Sequence, residues 1–260
     1  MQLTKPILVR GGAIAGGRLP LVCTPLVARD EDGLRAELAA VCAKAPDLIE
    51  WRVDFFGPIA ETGRVLAAAR GLREGAEGIP IIFTRRSTRE GGQPIALSEQ
   101  QVLELYEAVC DAACVDFVDW ELSGEPAHLQ RALAAAHRNG AQLIASFHDF
   151  ARTPPAAAIV DKFLAAAAAG ADIAKVAVMP QDVGDVLTLL SATLEGHRRI
   201  ALPIVSMSMG AYGSLTRLIG WAFGSSITFA VGDKASAPGQ VPIDELRAVL
   251  EAVRRAMGVE

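Results

Sequence analysis

The chain has 260 residues, 51% of them hydrophobic, and a formal net charge of −5. That length fits one large domain or two small ones, with apolar residues enough for a sizeable core. The acidic balance argues against nucleic acid and against an anionic membrane surface as partners.

No apolar stretch reaches the ~18–20 uncharged residues of a membrane span. The N-terminus offers only Ile7-Leu8-Val9 as an apolar core, too short for a signal peptide, so the expected compartment is the cytoplasm. The four cysteines, Cys23, Cys42, Cys110 and Cys114, contain no Cys-x-x-Cys pair. Cys110 and Cys114 lie one helical turn apart, but no histidine or second pair completes a zinc set, and no metal is expected. They read as small core hydrophobes in a reducing compartment.

Residues 1–18, with Gly11-Gly12 and Gly16-Gly17, read as a short hairpin plugging one end of the fold. From Leu19 onward a short apolar run is followed by a helical pattern, eight times over. The expected strands are Leu19–Leu26, Leu48–Phe55, Ile79–Arg86, Val115–Leu122, Gln142–Phe150, Ala171–Met179, Ile200–Met209 and Ser225–Gly232. The expected helices start near Asp30, Glu61, Ser98, Glu125, Pro155, Gln181, Ala211 and Ile243. Gly140 and Gly170 stand where a helix ends in a left-handed residue, and Pro155 and Pro242 suit a first turn.

The strands are near-continuous apolar runs, the mark of parallel strands buried on both faces. Eight such units predict an α/β fold, a (β/α)8 TIM barrel over residues 19–260 with the hairpin at one end, forming a single domain. An open doubly wound sheet would normally carry a Gly-rich nucleotide loop after its first strand. Here that turn is Thr24-Pro25-Leu26-Val27-Ala28-Arg29, without that fingerprint.

Barrel active sites lie at the C-terminal ends of the strands. Charge is unusual in parallel strands unless paired or functional. Here charged and polar residues recur: Glu50, Arg52 and Asp54 at period two; Arg85-Arg86 leading to Glu90-Gly91-Gly92; Asp119 and Glu121; Ser146 and His148; Lys175; and the serines of Ser206 to Met209. There are 5 lysines against 20 arginines, and only Lys175 falls within an expected strand. Desolvation there is expected to push the amine toward its neutral, nucleophilic form. The bland alternative is a structural ion pair with Glu50, Asp119 or Glu121, which the arginines are expected to claim first. For His148 it is a satisfied core histidine, for Glu50 and Arg52 an interior ion pair, and for Met207 and Met209 simple packing. Gly232 to Gln240, small and flexible after the last strand, reads as a lid or as an ordinary connection.

Together these segments resemble type I 3-dehydroquinate dehydratase, the Schiff-base enzyme of the shikimate pathway. The likeness rests on Glu50-Trp51-Arg52-Val53-Asp54, on Arg86 with Glu90-Gly91-Gly92, on Phe147-His148-Asp149-Phe150 and on Ala171 to Ala177 around Lys175. It continues through Met179-Pro180-Gln181, Asp185 to Leu190, Met207-Ser208-Met209-Gly210, Arg217 and Ala235 to Gln240. Departures are Cys23-Thr24-Pro25 where the family often has serine, Thr216 before Arg217, and Arg85 where an aromatic is frequent.

The resemblance implies loss of water from 3-dehydroquinate to give 3-dehydroshikimate, a syn elimination through an imine on Lys175. It implies no metal and no separate cofactor. His148 is the implied general acid and base, with Glu90 orienting it and favouring its charged form. Arg217 is implied to hold the substrate carboxylate. Glu50, Arg52, Arg86, Ser236 and Gln240 would hold hydroxyls or carboxylate, Met207 and Met209 would wall the ring, and Thr24 would stand in for the first-strand serine. A homodimer is the implied assembly. Two rivals stay open: a class I aldolase or transaldolase acting on sugar phosphates, and a non-catalytic binding barrel.

Overall fold

A computed structural model describes residues 3–9, 12–15, 19–232 and 236–259. Gly11, Gly16 and Gly17 of the expected hairpin, and Asp233 to Ala235 of the expected lid, lie outside the described residues. A hairpin of β1 (Ile7–Val9) and β2 (Gly12–Ala15) comes first. Then follow β3 (Leu21–Leu26), α1 (Glu31–Cys42), β4 (Leu48–Arg52), α2 (Thr62–Gly75), β5 (Ile81–Thr84), α3 (Glu99–Asp111), β6 (Phe117–Glu121) and α4 (Pro126–Arg138). The second half runs β7 (Gln142–Asp149), α5 (Ala156–Ala168), β8 (Ile173–Val178), α6 (Val183–Arg199), β9 (Ile204–Ser208), α7 (Gly210–Ile219), β10 (Ile227–Val231), the two-residue β11 (Val241–Pro242) and α8 (Ile243–Ala256).

All sheet pairings from β3 to β11 are parallel, in the order β11-β10-β3-β4-β5-β6-β7-β8-β9. A parallel bridge between Ile204 and Ser225 joins the free side of β9 to the chain entering β10, and Ser226 N donates to Ile204 O at 2.7 Å. The sheet thus closes on itself, giving the expected barrel.

Period-two alternation assigns each strand residue a side. Leu48, Ile82, Phe117, Ile144 and Ile173 pack together inside the barrel, and fully buried Ile7 from the hairpin joins them. Ile49, Trp51, Phe83, Val118, Ala145 and Val176 face the helices. An apolar plug thus fills the N-terminal half of the interior. Two residues further along β4 to β8 the inward positions turn polar, while β3, β9 and β10 keep Cys23, Met207 and Phe229 there.

Helix starts follow local capping chemistry. Asp30 and Asp182 accept from backbone N–H groups of the first turns of α1 and α6, and Ser98 with Gln101 forms a capping box on α3. Pro155 and Pro242 are the residues before their helices, one place earlier than a first-turn proline. Gly140 and Gly170 take the left-handed conformation just past α4 and α5.

All eight barrel strands are shorter than expected, and at two ends a local cause is visible. β4 stops at Arg52, and Val53–Phe55 forms a 3-10 turn. β9 begins at Ile204, after Pro203, whose nitrogen has no hydrogen to give to a ladder.

Candidate active site

The inward polar residues meet at the C-terminal end of the barrel. Glu50 on β4, Thr84 on β5, Asp119 on β6, Ser146 on β7 and Lys175 on β8 face one another, and all five are buried. Thr84 Oγ1 donates to Glu50 at 3.0 Å, and Ser146 Oγ donates to Asp119 Oδ1 at 2.5 Å. Arg86 reaches in from just beyond β5, donating to Asp119 Oδ1 and Ser146 Oγ at 2.8 Å each and to Glu121 at 3.3 Å.

Lys175 is paired, contrary to the expectation that the arginines would claim the acids. Its Nζ donates to Asp119 Oδ2 at 2.8 Å and to Glu50 Oε1 at 3.3 Å. A carboxylate has two oxygens, and Arg86 takes only one of those on Asp119. The amine also lies 4.7 Å from the centre of the Phe229 ring. Burial alone would raise the Asp119 carboxyl. Arg86 and Lys175 outweigh it and hold that carboxyl well below the usual range.

His148 stands on β7, next to β8, with a side chain 9% exposed. Its Nδ1 lies 2.9 Å from Glu90 Oε2, and its backbone N donates to the same oxygen at 3.0 Å. Ser123 Oγ donates to the other Glu90 oxygen at 2.5 Å. Burial, then Arg86 and Lys175, keep the imidazole well below its ordinary pKa. Whatever Glu90 contributes to the charged form of His148 is outweighed by burial, Arg86 and Lys175. Glu90 itself is pushed up to about 7, by burial first and by Glu121 second, against Arg86 and the Ser123 hydrogen bond.

Glycines place Glu90. Gly91 has φ +83, and a Cβ there would lie 2.4 Å from the Phe150 ring. A Cβ on Gly92 would lie 1.9 Å from the Arg86 carbonyl oxygen, so this turn closes only without a side chain. Arg85, next along from Arg86, points the other way and pairs with Glu99 on α3.

Arg217 on α7 is 2% exposed and has no carboxylate partner among the described residues. Its N–H groups meet the Met207 sulfur at 3.5 Å and the carbonyls of Phe229 and Pro238 at 3.4 and 3.3 Å. Burial pushes this guanidinium down to about 10. The segment carrying Pro238 is pinned to the start of α7: Gly210 N donates to Pro238 O at 3.2 Å. Ser236 N donates to Gln240 Oε1 at 3.0 Å, so the described part of the expected lid is a closed turn.

These groups surround one pocket at the C-terminal mouth of the barrel. Glu50, Arg52, Arg86, Glu90, His148, Lys175, Met207, Met209, Arg217, Ser236 and Gln240 all line it. Thr24 does not. Leu21 and Cys23 point inward on β3, so Thr24 faces the helices, fully buried, and a Cβ on Gly232 would meet its methyl at 2.6 Å. A side chain one residue out of step lies on the wrong face of the strand, and the expected substrate contact at Thr24 is therefore withdrawn.

Sequence reasoning gave no role to Asp54, Ser123, Phe150 or Phe229. Phe150 and Phe229 line the pocket, and Ser123 holds Glu90. Inward parity on β10 was the available signal for Phe229. Nothing local marks Ser123. Among the described residues no cluster of ligating side chains suited to a metal occurs.

The family model described as Type I 3-dehydroquinase matches residues 22–256. A 3-dehydroquinate dehydratase of Aromatoleum aromaticum is 58% identical over 257 residues, which are 99% of each chain. The crystal structure of 3-dehydroquinate dehydratase from Geobacillus kaustophilus superposes with a TM-score of 0.94 at 47% identity, covering 98% of this chain and 99% of that one. The Type I enzyme of Clostridium difficile, described as covalently modified with comenic acid, gives 0.92 at 35% identity, covering 97% and 99%. With a pocket lysine and histidine on adjacent strands and a match along nearly its whole length, the chain belongs to the type I 3-dehydroquinase family.

Proposed function

We propose that this pocket binds 3-dehydroquinate and eliminates water from it, giving 3-dehydroshikimate through an imine on Lys175. Membership of the family makes the chain a hydro-lyase. The observation that carries the residue assignment is the joint exposure of Lys175, His148 and the uncompensated Arg217 to one pocket. An amine, a base and an anion-holding cation are the three groups the reaction requires.

The chemical difficulty is a proton α to a ketone, too weakly acidic for a side-chain base. An imine solves it by placing a cationic electron sink beside that carbon. Arg217 takes the substrate carboxylate in a two-pronged contact. Lys175 gives up a proton and adds to the ketone carbon; the ketone oxygen departs as water, leaving a protonated imine. The two protons that leave the lysine nitrogen end on the ketone oxygen and depart with it as water, while Asp119 stays ionised.

His148 donates Nδ1–H to ionised Glu90, which leaves the Nε2 lone pair for the substrate. Nε2 takes the α-proton, and the electron pair moves onto the imine nitrogen. The resulting enamine expels the β-hydroxyl, which leaves as water with the proton from His148. One base serving one face gives syn elimination. Water then hydrolyses the imine and frees Lys175. The protonated imine is the electron sink, so the scheme calls for no metal and no separate cofactor.

Glu50, Arg52, Arg86, Ser236 and Gln240 hold the substrate's oxygen atoms in this reading, and Met207 and Met209 bound its ring. The aldolase rival requires a phosphate site near the last two strands. Among the described residues the cation found there is the buried Arg217, which suits a carboxylate.

A homodimer and a cytoplasmic location belong to the same proposal. Val183 and Leu187 on α6 and Tyr212 and Leu215 on the neighbouring α7 are exposed apolar side chains, a surface suited to self-association. The cysteines are free, which suits a reducing compartment. No described helix is long and apolar enough to cross a membrane. Incubation with 3-dehydroquinate tests the activity: a conjugated enone appears in the ultraviolet, and its absence from folded protein would overturn the proposal.

A further inference from the structure

We propose that Asp54 is the positioning residue for Arg52, holding its guanidinium flat so that the free edge faces the substrate. The inference rests on the reading of Arg52 as a substrate contact.

Asp54 is not in the pocket lining, yet its side chain is completely buried. It lies in the 3-10 turn that ends β4. Had the strand continued, Arg52 and Asp54 would project side by side along one face. The turn instead brings the carboxylate against the guanidinium. Oδ1 and Oδ2 accept from Nε and Nη2 of Arg52 at 2.8 Å each, two parallel bonds that fix the plane of the fork. The Phe55 ring, centred 5.1 Å from the guanidinium carbon, lies against the same group. Nη1 has no protein partner among the described residues, and Arg52 lines the pocket.

The same carboxylate accepts two backbone N–H groups from the loop after β5, Arg86 N at 3.3 Å and Gln93 N at 3.1 Å. That loop carries Arg86 and Glu90. Asp54 therefore fixes the fork with two strong bonds and references it to the loop with two longer ones. A lysine at position 52 could not take the paired contact, since an ammonium is a point donor on a flexible stem.

The test is a double-mutant cycle on Arg52 and Asp54 with 3-dehydroquinate, reading KM and kcat separately and the thermal midpoint alongside. Arg52→Ala is expected to raise KM about tenfold or more. Asp54→Asn is expected to raise KM by a similar factor, while kcat falls less than about threefold. In the Arg52→Ala background, Asp54→Asn should change KM by less than about twofold.

An unchanged KM in Arg52→Ala removes the substrate role of Arg52 and the inference with it. A raised KM in Arg52→Ala with multiplicative effects in the double variant leaves Arg52 in place and overturns the role of Asp54. So does a fall in kcat alone in Asp54→Asn, which would assign the carboxylate to loop support. Arg52→Lys, with Asp54 intact, gives a reading that does not depend on Asp54→Asn folding. It should raise KM as much as Arg52→Ala, and wild-type KM in that variant would contradict the inference.

Discussion

Glu90 accepts both the backbone and the ring N–H of His148, at 3.0 and 2.9 Å, through a single carboxylate oxygen. This fixes the ring's orientation and its tautomer together. Glu90 is pushed up to about 7 while burial, Arg86 and Lys175 keep His148 well below its ordinary value. As pH falls through about 7, the pair's first proton therefore goes to the carboxyl. Protonated Glu90 can donate to Nδ1 as well as accept from it, and the lone pair at Nε2 is no longer enforced.

The pH profile of kcat/KM is expected to fall on the acid side with an apparent pKa of about 7. In Glu90→Gln that limb should move to lower pH, because only the depressed imidazole then titrates. A limb that stays near 7 in Glu90→Gln would assign it to another group.

Arg217 is a buried cation whose carboxylate partner arrives with the substrate. Arg217→Met is expected to raise KM about 100-fold, the scale of a desolvated charge-assisted pair, with a smaller change in kcat. A substrate analogue that keeps the carboxylate should raise the thermal midpoint of the wild-type protein and leave that of Arg217→Met unmoved. An equal shift in both proteins would place the carboxylate elsewhere.

Gly92→Ala is expected to destabilise the protein by about 2 kcal/mol or more, because the new methyl meets a backbone oxygen rather than a movable side chain. Relief requires the turn to open, which displaces Glu90 from His148. Denaturant unfolding should show the lost stability, and kcat should fall with it. A variant with normal stability and normal kcat would show that the turn is not held closed.

Barrel topology and the inward charges of the strands were readable because they rest on local signals, whereas Arg217, Ser236 and Gln240 were marked only by the family resemblance. Near-continuous apolar runs gave the parallel strands, capping residues placed the helix starts within a residue or two, and period-two charge marked the inward positions. The errors share a cause, since they concern relations across the barrel or a shift of one residue. Thr24 lies one position off the inward face. Asp54 falls past a strand end hidden inside an apolar run. Lys175 was read as a dry amine because its sequence neighbours are apolar, but its spatial neighbours are Asp119 on β6 and Glu50 on β4. The charge state of His148 depends on Arg86, Lys175 and burial in one enclosure, which no linear spacing reveals.

The exposed Val183, Leu187, Tyr212 and Leu215 give an expected dimer in sedimentation, and Leu187→Glu with Tyr212→Glu should shift it toward monomer. A monomeric wild-type protein at micromolar concentration would contradict the proposed assembly.

Borohydride reduction in the presence of 3-dehydroquinate, followed by peptide mass analysis, tests the role of Lys175 most directly. A reduced adduct is expected on the peptide containing Lys175, and none on Lys175→Ala protein that keeps its thermal transition. Turnover of substrate without any adduct on Lys175, or an adduct of equal yield in Lys175→Ala, would contradict the account.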